Sequence, residues 1–129
     1  MKILLDTQCW LWLCGAPDRF TDTARRRLVS PGNQLFLSAA SAWEIAIKYA
    51  IGKLRLPLPP ADYIRTRMAT TDTTELSITH GHALRVAALP LHHRDPFDRL
   101  LIAQAQLEGL RIMTSDPQFA PYDVERLEA

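Results

Sequence analysis

Four acidic residues are the ones in this sequence whose types and positions can do chemistry: Asp6, Glu44, Asp98 and Asp116. Each sits where an acid is either useful or out of place. Asp6 ends the apolar run Ile3-Leu4-Leu5, and Asp116 follows Leu110 to Thr114 in the turn Ser115-Asp116-Pro117. Glu44 interrupts a helical stretch that is otherwise crowded with Ala, Trp and Ile. Asp98 lies just inside a helix opened by Asp95-Pro96. Brought together, such acids repel one another, and carboxylates within about 4–6 Å shift their pKa values strongly unless a cation neutralises them. Hard divalent ions such as Mg²⁺ and Mn²⁺ prefer oxygen ligands of this kind. A bound divalent ion can lower the pKa of its water and stabilise charge on a phosphodiester in an in-line transition state, so the acids by themselves point to an acidic metal site.

Each acid also has an ordinary explanation. Asp6 and Asp116 are common turn residues, the latter before proline. Glu44 could reach solvent. Asp98 is three residues after Asp95, at the N3 position, where an acid suits the helix dipole whatever else it does. Convergence of the four in space therefore has to carry the reading.

That convergence depends on the elements around them. Ile3 to Leu5 reads as a buried first strand, with a helix from Thr7 to Cys14 stopped by Gly15 and Pro17. A helix from Asp22 to Val29 with Thr21 as cap precedes the turn Pro31-Gly32-Asn33. Gln34 to Leu37 is the second strand. Ser38 caps a helix from Ala39 to about Ile51, apolar enough to be expected largely buried. After the extended Leu54 to Pro60 segment, Pro60 suits the first turn of a helix to about Met68. Thr74 to Ile78 is the third strand, and Thr79 caps a helix to Ala88. The strongest helix runs from Asp95-Pro96 to Glu108 and ends at Gly109; Leu110 to Thr114 is the fourth strand, and a short strand is expected within Tyr122 to Leu127. Strands alternating with helices indicate an α/β domain around a mostly parallel sheet, with ligands bound beyond the carboxyl ends of the strands. On that plan all four acids gather at one edge.

Composition narrows the classes. With 129 residues, 47% hydrophobic and 22% charged, the chain suits one globular domain, residues 1–129, without repeats. A formal net charge of +1 gives only weak information, since a dedicated DNA-coating protein is usually far more basic. Any such contact has to come from a local patch: Arg25 to Arg27; Lys48, Lys53 and Arg55; or Arg94 and Arg99. Cys9 and Cys14 lack zinc-ligand spacing and read as reduced thiols of a cytoplasmic protein. His80, His82, His92 and His93 lack it too. Trp10 and Trp12 read as packing residues. No apolar run is long enough to span a membrane. An aspartyl-phosphate phosphatase would want a second aspartate two positions after Asp6, where Gln8 stands.

The sequence also resembles a known family. Met1-Lys2-Ile3-Leu4-Leu5-Asp6-Thr7 is similar to the start of PIN domains, and Ser38 to Lys48 resembles the segment that carries the family's glutamate. Gly52 to Pro57 follows as in one bacterial subfamily. His93-Arg94-Asp95-Pro96-Phe97-Asp98-Arg99, continuing to Ala105, is the most specific stretch, and Thr114-Ser115-Asp116 completes the set. The resemblance runs over nearly the whole chain and points to VapC-like toxins of type II toxin–antitoxin systems. It implies a three-layer α/β/α sandwich and an endoribonuclease dependent on Mg²⁺ or Mn²⁺. Asp6 and Asp98 would be the main metal ligands, with Glu44 and Asp116 completing the acidic pocket. Thr7 and Ser115 would support carboxylates or a phosphate. It further implies RNA as substrate, a cognate antitoxin and a homodimer. Arg94 and Arg99 flank the pocket in sequence and are expected at the phosphate, with pairing to a pocket acid as the equal alternative for Arg99. Gln8 departs from the subfamily, which often has histidine there. Asp95 is expected as a cap. The competing expectation is a catalytically silent PIN scaffold that binds RNA or a protein.

Overall fold

A computed structural model describes all 129 residues. The first strand, β1 (Lys2–Leu5), runs into α1 (Thr7–Gly15), a 3₁₀ turn (Pro17–Arg19) and α2 (Asp22–Val29). Next come β2 (Gln34–Ser38), α3 (Ala39–Ala50), α4 (Pro60–Thr71) and β3 (Thr73–Leu76). The chain continues through α5 (His80–Arg85), α6 (Pro96–Glu108), β4 (Arg111–Thr114) and β5 (Arg126–Glu128). All five strands are parallel, in the order β3-β2-β1-β4-β5.

Strand alternation explains the layers. Successive side chains leave a strand on opposite faces, so Ile3 and Leu5 point one way and Leu4 the other. Ile3 and Leu5 enter a core with Trp10, Leu37 and Ile45. Leu4 enters a second core with Leu101, Ile102 and Phe119. Both sheet faces are covered, giving the three-layer α/β/α sandwich, and this is why β1 reads as an unbroken apolar run. No helix is long and apolar enough to cross a membrane.

The order of strands matters for the site. From β1 the chain builds outward to β2 and β3 on one side and, later, to β4 and β5 on the other. The switch point is thus at β1, between elements whose carboxyl ends carry Asp6 and Asp116. A crevice opens there in sheets of this kind.

Most expected boundaries lie within a few residues of the observed ones. The third strand is Thr73–Leu76, not Thr74 to Ile78, and the helix from Pro60 extends to Thr71, where Asp72 takes a left-handed conformation at φ 52. The helix expected up to Ala88 breaks into α5 and a 3₁₀ turn, Val86–Ala88. Larger is the departure in α3, which is not largely buried. Only Ala40, Ser41, Glu44 and Ile45 face the interior. Trp43 is 58% exposed and Ile51, just beyond the helix, is 59% exposed. Apolar composition records what a helix can bury; it does not say that the same chain supplies the cover. Trp10 is fully buried, its indole N–H donating to Thr73 Oγ1 at 3.2 Å, and Trp12 packs edge-on against Phe20. Both cysteines are free thiols, and burial pushes Cys14 up to about 12.

Candidate metal centre

Asp6 is the N-cap of α1. Its Oδ1 accepts the Cys9 N–H at 2.7 Å, which ties the carboxylate to the first turn of the helix. It is 5% exposed. Burial raises its pKa, and hydrogen bonds from Thr114 and Cys9 pull it back. The acid expected at a strand end is thus also a helix cap, and the cap fixes its direction.

Thr7 connects the first acid to the second. Its Oγ1 lies 2.9 Å from Ser41 Oγ and 2.6 Å from Glu44 Oε1. Glu44 therefore does not reach solvent: it is buried on the inner face of α3. Its other oxygen, Oε2, is 2.5 Å from Lys48 Nζ, one turn along the helix. That hydrogen bond is the main reason the Lys48 pKa is raised.

Asp98 behaves as its position in α6 requires and does more. Asp95 caps the helix, its Oδ1 accepting the Phe97 N–H at 2.8 Å and the Asp98 N–H at 3.0 Å. This leaves the Asp98 carboxylate free of capping duty and turned to the cleft. Burial pushes its pKa up to about 8, and Asp95, Asp6, Glu44 and Asp116 add to the rise by repulsion. Three acids distant in sequence act on Asp98 together, which is the convergence that spacing alone left open. Asp116 caps the 3₁₀ turn Pro117–Phe119, and its own N–H donates to Thr114 Oγ1 at 3.0 Å.

The cleft between these residues has a volume of about 400 Å³. Five carboxylates line it, those of Asp6, Glu44, Asp95, Asp98 and Asp116, against two lysines, Lys48 and Lys53. Thr7, Gln8 and Ser115 also line it. A groove at the other end of the sheet, near Met1, Arg111 and Glu125, gathers no comparable charge.

A PIN-domain family profile matches residues 3–125. The chain belongs to the PIN-domain family. Ribonuclease VapC16 of Mycobacterium tuberculosis (strain ATCC 25618 / H37Rv) is 54% identical to this PIN domain over 50 residues, a stretch that covers 39% of this chain and 36% of that protein. Ribonuclease VapC22 of the same organism is 28% identical over 115 residues, 88% of this chain and 86% of that protein. Among solved structures, VapBC2 from Rickettsia felis bound to a DNA fragment from its promoter superposes with a TM-score of 0.73 at 12% identity, covering 98% of each chain. That likeness is one of fold.

Two expected site residues lie elsewhere in this PIN domain. Arg99 does not line the cleft. Its guanidinium donates to the carbonyls of Pro90, His93, Val86 and Leu89 and to the Tyr122 hydroxyl, at 3.0 to 3.4 Å. An arginine so near Asp98 in sequence points away because successive helical residues face different directions. Arg94 is exposed and outside the cleft lining.

One residue at the site was missed as a site residue. His93 is buried, with Nε2 2.8 Å from Asp98 Oδ2 and 3.4 Å from Asp116 Oδ2. One ligand-type atom from each of His93, Asp98 and Asp116 lies within 4.8 Å of the others. Zinc spacing rules could not find it, because the loop that carries it is folded by contacts with Tyr122 and Arg99. The signal present in the sequence was its place five residues before Asp98. His82, by contrast, pairs with Glu108 at 2.7 Å, apart from the cleft.

Proposed function

We propose that this PIN domain is a divalent-metal-dependent endoribonuclease of the cytoplasm, the toxin of a type II toxin–antitoxin pair. The observation that carries the proposal is the gathering of Asp6, Glu44, Asp98 and Asp116 around one cleft, with the Asp98 pKa raised to about 8 by burial and by the other acids. The donor set fits a hard divalent ion such as Mg²⁺ or Mn²⁺: five carboxylates converge on the cleft against two lysines, Asp6, Asp98 and Asp116 from element ends and Glu44 from within α3. Asp6 and Asp98 are the principal holders in this reading, and Glu44 and Asp116 complete the pocket. When bound, such an ion lowers the pKa of water and offsets charge on a phosphodiester undergoing in-line displacement.

The chain's own groups do the rest. Thr7 fixes the Glu44 carboxylate through Oε1, and Lys48 neutralises Oε2. Lys48 and Lys53 place positive charge at the wall of the cleft, where a phosphodiester backbone is attracted despite the overall charge of +1. Ser115 lines the same wall and offers a hydroxyl to a phosphate oxygen. RNA as the substrate is supported by the likeness to the ribonucleases VapC16 and VapC22. The partner is a cognate antitoxin, in keeping with the VapBC2 likeness.

The exposed apolar side of α3, with Trp43 and Ile47, suits the interface of a homodimer.

The test is cleavage of defined RNAs with Mn²⁺ or Mg²⁺, comparing the native sequence with Asp6→Asn and Asp98→Asn. Each variant is expected to lose at least about 100-fold in rate, and EDTA is expected to abolish cleavage. Unchanged cleavage by both variants, or full activity in EDTA, would sink the proposal. Calorimetric titration with Mn²⁺ separates it from a silent scaffold, which has no binding site dependent on Asp6 and Asp98.

A further inference from the structure

We propose that His93 is a positioning residue whose Nε2, bonded to Asp98 and close beside Asp116, keeps the two carboxyl groups together across the cleft, ready for a divalent ion. The inference rests on the metal-site reading above and adds a component to it.

The ring's hydrogen bonds decide its role. The Asp95 N–H donates to His93 Nδ1 at 3.4 Å. Nδ1 is thus the acceptor, and in the neutral ring the proton sits on Nε2. Nε2 then donates to Asp98 Oδ2 at 2.8 Å, and Asp116 Oδ2 lies 3.4 Å from the same nitrogen. A nitrogen that carries its proton toward a carboxylate has no lone pair to offer an ion. A histidine acting as ligand would need the other tautomer, with Nδ1–H facing the Asp95 N–H, donor against donor. His93 therefore acts on the ion through the carboxylates.

The surroundings keep the ring in place. The Tyr122 hydroxyl accepts the His92 N–H at 3.0 Å and the His93 N–H at 2.7 Å. Arg99 gathers the carbonyls of the same loop, including that of His93. The imidazole lies edge-on to Phe119, with centroids 5.7 Å apart. Asp98 comes from the start of α6 and Asp116 from the turn after β4, so no shared element fixes their separation. The two carboxyl groups therefore need a group between them to keep their separation, and the buried His93 Nε2 lies 2.8 Å from one and 3.4 Å from the other.

The experiment measures Mn²⁺ binding to the full chain by calorimetry for the native sequence, His93→Gln and His93→Ala, with thermal melts to establish folding. Glutamine offers a donor nitrogen at a reach close to that of Nε2. His93→Gln is expected to bind within about threefold of the native sequence, and His93→Ala at least about tenfold more weakly. Electron spin echo spectroscopy of the native Mn²⁺ complex, which needs no variant, is expected to show no nitrogen coupling from a coordinated imidazole. Such a coupling, equal losses in Gln and Ala, or native affinity in a folded His93→Ala protein each overturn the inference while leaving the metal site intact. Absence of Mn²⁺ binding by the native protein overturns both, and Asp98→Asn, expected to abolish binding, is the control that tells the two failures apart.

Discussion

Lys48 Nζ lies 2.5 Å from Glu44 Oε2, one helical turn away and at the wall of the acidic cleft. The ammonium is half exposed while the carboxylate is buried. The pair therefore brings a cation from the surface to a buried acid, as an i, i+4 arrangement allows.

Removing that cation leaves Glu44 with Thr7 alone. Lys48→Met is expected to destabilise the metal-free protein by about 1 kcal/mol, discounted for the exposure of the lysine. The corresponding fall in melting temperature is about 4 °C. Added Mn²⁺ is expected to stabilise the variant more than the native protein. Equal melting temperatures in EDTA would show that the contact contributes nothing.

Thr7 offers a sharper test of how Glu44 is held. Thr7→Val keeps the shape but removes the hydroxyl that meets Ser41 and Glu44. A loss of about 1–3 kcal/mol is expected, because a buried carboxylate oxygen is left unpaired. Cleavage is expected to fall about tenfold, and Thr7→Ser is expected to restore both. Failure of serine to restore activity would place the methyl group, not the hydroxyl, at the centre of the role.

Asp98 sets a pH dependence whose sign follows from its environment. The folded state raises its pKa from 3.8 to about 8, so folding favours the protonated acid. The group's stabilising contribution is complete below about pH 4 and is lost as pH rises toward about 8. In EDTA the protein is thus expected to melt several degrees lower at pH 8 than at pH 5, and Asp98→Asn is expected to flatten that slope. Divalent metal at pH 8 is expected to recover the loss. Thermal melts across pH measure it, and a slope unchanged by Asp98→Asn would assign the dependence to other groups.

Arg99 distinguishes a phosphate clamp from a loop brace. Its contacts are with Pro90, His93, Val86, Leu89 and Tyr122. Arg99→Ala is expected to destabilise the fold by about 2–4 kcal/mol, since several carbonyls lose their partner at once. Any activity that remains is expected to be lower in kcat with KM for RNA little changed. A selective rise in KM with native stability would return Arg99 to the substrate.

The exposed side of α3 can be tested by size. Trp43→Glu combined with Ile47→Glu is expected to lower the sedimentation coefficient to that of a monomer while leaving the circular dichroism spectrum unchanged. A native chain that sediments as a monomer would remove the homodimer from the proposal.

The sequence by itself determined the alternating elements, the parallel α/β class and the identity of the acids. Those depend on local patterns: the apolar run before Asp6, the caps at Ser38, Thr79 and Asp95, and the αL glycine Gly109 closing α6. Asp95 and Asp98 were legible as cap and N3 acid because one turn of helix fixes their relation. Only the tertiary structure decided what acts across the sheet. Strand order put Asp6 and Asp116 beside the same crevice, and the packing of α3 against α1 turned Glu44 toward Thr7. Tertiary contacts took the Arg99 guanidinium away from the cleft and brought the buried His93 ring beside Asp98 and Asp116. Spacing along the chain sets where a side chain starts, whereas a flexible guanidinium or a histidine in a loop takes its direction from partners tens of residues away, such as Tyr122.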